Sequence, residues 1–140
     1  AAPLDPSSDA SVRAIAAIEG SHARHFEIEV FDGERWVPAP ATDCFRVARR
    51  EDRSLRFELG LAFDNGHSCL VEDGAVVPLA IDRFRLELGG CSILLRRDGG
   101  EFVFEAEHPS SCATRAVCGA RGRIEGSRIS GERVETCDRP

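Results

Sequence analysis

Apolar and polar residues alternate along most of this chain, most clearly from Ile81 to Glu107. Phe84, Leu86 and Leu88 alternate with Arg83, Arg85 and Glu87. After Asp98-Gly99-Gly100 the pattern resumes as Phe102, Phe104 and Ala106 against Val103, Glu105 and Glu107. A period of two puts one set of side chains on a core and the other in water, so the stretch predicts three consecutive strands joined by two glycine turns. The longest alternation is Leu55, Phe57, Leu59, Leu61 and Phe63, interrupted by Gly60, where a bulge is expected.

Turn chemistry divides the rest. Asp64-Asn65-Gly66-His67 predicts a tight hairpin, because Asn-Gly tolerates positive φ. Asp32-Gly33 predicts another, between a strand Phe26 to Phe31 and Trp36-Val37; Pro38 and Pro40 then end the pairing or confine it to an edge, with PAPAT as a loop. A strand Cys44 to Ala48 leads to a charged turn, Arg49 to Arg53. Ser68 to Glu72 pairs back, Asp73-Gly74 reads as a further turn, and Ala75 to Ala80 as a short strand. His108 to Ala116 reads as a loop, and Arg123 to Glu125 with Arg128 to Val134 as a glycine-punctuated closing hairpin. Near the start, Val12, Ile15, Ala16 and Ile18 fit one short helix capped by Ser8 or Asp9 and closed near Gly20.

Eight to ten short strands, turns about every ten residues and no long crossover predict an all-β fold. A small antiparallel up-and-down barrel with one short N-terminal helix is expected, with a two-sheet sandwich as the alternative. Residues 1–7 read as a mobile arm and 8–140 as a single domain.

Six cysteines, Cys44, Cys69, Cys91, Cys112, Cys118 and Cys137, form an even, scattered set without the close pairs of a zinc knuckle. Three disulfides in an oxidising compartment are therefore expected. Six cysteines allow fifteen pairings, so the connectivity stays open; the set favoured here is Cys69–Cys91 across neighbouring strands, Cys112–Cys118 around a short loop and Cys44–Cys137 as a tether for the tail. No run of apolar residues is long enough for a membrane span, and the opening AAPLDPSS reads as the start of a mature exported protein. A net charge of −6 argues against nucleic acid and for a basic partner.

Chemistry is sparse. His22 and His25 form an HxxH pair, too few ligands for a closed metal site. Ser68 or Cys69 beside His67 is a poor nucleophile pair, since neighbours on a strand point to opposite faces. No phosphate loop, dinucleotide fingerprint or metalloprotease motif occurs, so no catalytic residue, metal or cofactor is assigned and the chain is read as a binding protein, not an enzyme. A calycin-like carrier of a small apolar ligand is the alternative, though the inward set from Phe57 to Phe104 is bulky enough to fill a barrel of this size. Trp36 alone makes a weak sugar platform.

Recognition by loops remains. Two stand out: Asp64 to His67, and CGARGRIEGSR from Cys118 to Arg128, which gathers Arg121, Arg123 and Arg128 among glycines beside Ser127. NGHSC at Asn65 to Cys69 and CGARGRIEG at Cys118 to Gly126, with the cysteine frame, resemble small exported bacterial proteins of the membrane-bound or periplasmic lysozyme inhibitor type. The resemblance implies a small exported antiparallel barrel that inserts a loop bearing a Ser and a basic residue into the acidic cleft of a lysozyme. Ser127 and Arg128 match that pair; the family's tyrosine-containing motif is absent, as is lysine. The resulting expectation is an exported protein-binding module, an inhibitor of or immunity protein against a basic peptidoglycan hydrolase, touching its partner through Asn65, His67, Arg121, Arg123, Ser127 and Arg128.

Overall fold

The computed structural model describes residues 2–107, 118 and 122–138. Helix α1 (Asp9–Ile18) is followed by β1 (Gly20–Phe31), β2 (Trp36–Arg49), β3 (Leu55–Ala62), β4 (Ser68–Ala80), β5 (Arg83–Glu87), β6 (Ser92–Asp98), β7 (Glu101–Ala106) and β8 (Arg128–Ser130). These eight strands form one sheet in the order of the chain, every pair antiparallel. The first and last parts of the sheet meet where Val134 N–H donates to Ser21 O (2.9 Å), so the sheet curls into a nearly closed up-and-down barrel. A sandwich is thereby ruled out.

The helix begins as expected: Ser8 Oγ accepts from Ser11 N–H at 3.1 Å. Its buried face, Ala14 and Ile18, joins the barrel core. At its other end the Arg133 guanidinium donates to the carbonyls of Ala16 and Glu19, two of the groups a helix C-terminus leaves open. Leu4 N–H, in the arm before the helix, donates to Pro78 O at 2.9 Å.

Phe45, Phe57, Phe84, Phe102 and Phe104 are fully buried, with Leu59, Leu86, Ile93, Leu95, Ile124 and Ile129. Phe45 is central: its ring meets Phe104 (5.5 Å) and Phe102 (5.9 Å) edge-on and Phe57 at a tilt (5.9 Å). Phe63 and Leu88, read as inward, lie at the partly buried margin.

Four local readings are corrected. Gly60, where a bulge is expected, keeps register with Cys44 and Leu70. Asp73-Gly74 is not a turn: β4 runs unbroken from Ser68 to Ala80, bulging where its register with β3 shifts between Phe57 and Leu59. Pro38 and Pro40 sit inside β2, not in a loop, opposite Glu29 and Glu27. Glu29 N–H points away from β2, so these are non-hydrogen-bonded pairs, where a missing N–H removes no ladder bond. Arg123 to Glu125 is not a strand; the closing arm keeps β8 and the Val134 bridge.

Two disulfides join described residues, Cys44–Cys137 and Cys69–Cys118. The first is the expected tail tether. The second replaces both other predicted pairs. β5 pairs with β4 only from Ala75 onward, so Cys69 lies beyond the end of β5, and its free side is filled by a bridge to Cys118. Cys112 and the His108 to Ala116 loop lie outside the described residues; no described cysteine is free. No helix among the described residues is long and apolar enough to cross a membrane.

Candidate functional site

The turns β1–β2, β3–β4 and β5–β6 lie at one end of the barrel, here called the upper end; β2–β3, β4–β5 and β6–β7 lie at the lower. The β1–β2 hairpin overshoots the rest, since β3 pairs with β2 only from Cys44 down to Arg49. Its tip curls across the upper end until the free edge of β1 reaches the β3–β4 turn: Glu29 N–H donates to Asp64 Oδ1 (2.9 Å) and Phe31 N–H to Asn65 Oδ1 (3.3 Å). The turn can do this because Asn65 (φ 58°) and Gly66 (φ 76°) are both left-handed, which reverses the chain within three residues. Below it, Asp43 Oδ1 accepts from Ala62 N–H at 2.8 Å and fastens the end of β3 to β2. Burial pushes the Asp43 carboxyl above the usual 3.8, against the opposing pull of the Ala62 N–H and Arg24.

Between the tip and the turn opens a cleft of about 440 Å³, lined by Trp36, Phe63, Asp64, Asn65 and His67. Trp36 is 55 % exposed and rests against Phe31, itself 47 % exposed, with ring centroids 5.6 Å apart. The two residues are a cross-strand pair, held together by the hairpin register. Around them stand Glu27, Glu29, Asp32 and Glu34, all exposed, and the cleft's own Asp64. Asp32 Oδ1 accepts from the N–H groups of Arg35 and Glu34, which hold its carboxyl below the usual range.

The barrel flank is different. There several arginines pair with carboxylates, mostly across strands: Arg46 with Glu58, Arg50 and Arg56 with Asp73, Arg85 with Glu107, Arg96 with Glu105 and, along its own strand, Asp98. Arg128 belongs to this lattice. Its Nη1 lies 3.2 Å from Glu101 and 3.6 Å from Asp98, at the β6–β7 turn of the lower end.

The residues nominated from sequence therefore separate. Asn65 and His67 share the upper cleft. Arg123 is exposed and donates to Glu125 O (3.4 Å), while Ser127 Oγ donates to Arg123 O (3.3 Å). Arg128 is committed to the lower network, and Arg121 lies outside the described residues. Asp64 belongs to the loop singled out from sequence and joins Asn65 and His67; Trp36 and Phe63 line the cleft without having been nominated as partner-binding. The signal for Trp36 was the Asp32-Gly33 turn, whose register sets Phe31 opposite it. His22 and His25 do not converge: His22 is buried, its Nε2 facing Ile18 O (2.8 Å) and Nδ1 facing Glu132 O (3.3 Å), while His25 reaches Thr42 Oγ1 (2.9 Å) on the outer surface.

Among the described residues no three histidine, cysteine or acidic side chains are grouped to hold a metal ion. No family model matches the chain, and neither a curated protein nor a solved structure is found to be similar to it.

Proposed function

We propose that the protein is an exported protein-binding module that engages a basic partner with its upper end, and that a lysozyme-like peptidoglycan hydrolase is the most concrete such partner. The observation that carries this reading is the contrast in charge and exposure. Six flank arginines, Arg46, Arg50, Arg56, Arg85, Arg96 and Arg128, are matched by carboxylates, whereas the hairpin tip sets Glu27, Glu29, Asp32 and Glu34, against one arginine, Arg35, around an exposed Phe31–Trp36 pair. A large aromatic held rigid at the centre of a charged rim is how a protein interface concentrates its binding energy, and the acidic rim speeds encounter with a cationic surface. Disulfides suit an oxidising compartment and so support export.

A carrier in the calycin manner is less well supported, because the five buried phenyl rings already occupy the middle of the barrel. The Ser127–Arg128 element that the lysozyme-inhibitor resemblance singles out is also less well supported, since Arg128 is neutralised by two acids.

Native mass spectrometry of the oxidised protein with a panel of lysozymes and other peptidoglycan hydrolases tests the proposal. The expected result is a stoichiometric complex lost in Trp36→Ala and kept in Arg128→Ala. A complex lost only in Arg128→Ala would move the site to the other end. A co-purified small molecule without any complex would favour the carrier.

A further inference from the structure

We infer that the upper cleft receives one guanidinium side chain of the basic partner, seated between the face of Trp36 and the carboxylate of Asp64. This rests on the reading above and specifies its chemistry.

Three observations converge. First, the acceptor is fixed in place but not used up. Asp64 Oδ1 is held by Glu29 N–H at 2.9 Å, which anchors the carboxylate at one oxygen, and Oδ2 has no partner among the described residues. Second, the Trp36 indole is open and its π face carries negative charge density, which draws a cation more strongly than any other aromatic face. The same hairpin already contains such a contact, Arg24 lying 4.4 Å from the centre of the Phe26 ring. Third, the surroundings select charge sign. Glu27, Glu29, Glu34 and Asp64 make no ion pair among the described residues and outnumber Arg35 beside Trp36, so the local field favours a cation over an anion.

Arginine fits this better than lysine or a neutral sugar. Its planar guanidinium stacks on a ring while its edge donates to a carboxylate, with Asn65 and His67 beside it in the cleft. A sugar would use the ring face but gain nothing from the acidic rim.

Trp36 is the only tryptophan and there is no tyrosine, so intrinsic fluorescence reports on the cleft directly. The test titrates the oxidised protein with a short glycine-flanked arginine peptide, its citrulline counterpart and a chitin trisaccharide, following both fluorescence and backbone amide NMR. The arginine peptide is expected to give saturable shifts at Trp36 and residues 64–67, with the citrulline peptide at least about fivefold weaker. Asp64→Asn keeps the acceptor for Glu29 N–H and is expected to weaken arginine binding to the citrulline level with an otherwise unchanged amide spectrum. Equal binding of the two peptides, preference for the saccharide, or no shift at Trp36 would each overturn the inference. A hydrolase complex indifferent to Asp64→Asn would overturn it and leave the protein-binding reading standing. Arginine-selective binding in the cleft with no hydrolase complex would do the reverse for the named partner.

Discussion

Gly74 lies directly beneath the ring of Phe57, its cross-strand partner, so closely that the methyl group of an alanine there would overlap Cε1, Cζ and Cδ1 of that ring. The glycine thus makes room for a core aromatic at a bulge. Gly74→Ala is expected to destabilise the fold by about 1–3 kcal/mol, read from urea midpoints. Combining it with Phe57→Leu is expected to cost less than the sum of the two single changes, because the smaller side chain vacates the space. Additive costs would show that the ring is not what forbids the methyl.

Asp43 makes a prediction with a definite sign. Burial raises its folded pKa above 3.8, so between that value and the folded pKa the folded state binds the proton better. Its contribution therefore favours the fold as pH falls through the folded pKa and opposes it at neutral pH. Asp43→Asn, which keeps an acceptor for Ala62 N–H, is expected to raise the urea midpoint at pH 7, an advantage that vanishes toward about pH 3.8. Asp43→Ala strands that N–H and is expected to cost about 1–3 kcal/mol. Asp32, Asp52 and Asp73 work the other way: their lowered pKa values give stability above the unfolded value that is lost as pH falls through the folded one. Carboxyl NMR titration separates the two classes.

Removing the Cys44–Cys137 disulfide by Cys44→Ala with Cys137→Ala reopens a loop spanning 93 residues. The expected loss is about 2–4 kcal/mol. Hydrogen exchange is expected to accelerate first at Val134, whose N–H closes the barrel on Ser21. Unchanged protection there would mean that Arg133 and the buried His22 hold the tail by themselves.

Arg128→Ala removes the link between Asp98 and Glu101 in an exposed network. Such pairs contribute roughly 0–1 kcal/mol and are screened by salt. A thermal midpoint shifted by no more than a few degrees, converging with the parent at high salt, is the expected outcome.

The up-and-down order was legible because a period of two runs through Leu55 to Phe63 and resumes within each strand between Phe84 and Phe104, marking a core face in each; only Val103, placed on the outer set, is buried as well. Ser8 as helix cap and Asn65-Gly66 as hairpin turn were legible for a local reason: each acts through its own backbone geometry. Asp73-Gly74 misled because a glycine required by a neighbouring ring looks, along the chain, like a glycine required by a turn. Cysteine pairing was open to the same error. That β5 stops short of Cys69 is a fact about strand ends, which alternation does not encode. The cleft was half legible: its turn carries a sequence signature, but the hairpin curling over to meet it depends on two hydrogen bonds between residues about 35 positions apart.

The overhanging hairpin has one last consequence. An exposed pair of strands ordinarily invites a third, because its outer N–H groups wait for carbonyls. Here Pro38 and Pro40 leave the outer edge of β2 without those donors, and Asp64 and Asn65 already occupy the donors of β1 at Glu29 and Phe31. The tip is thereby a poor template for strand addition and for growth into a shared sheet with its own copies. A partner at this end meets it mainly side chain to side chain, which makes discrimination depend on rings and carboxylates more than on the generic backbone of an incoming peptide.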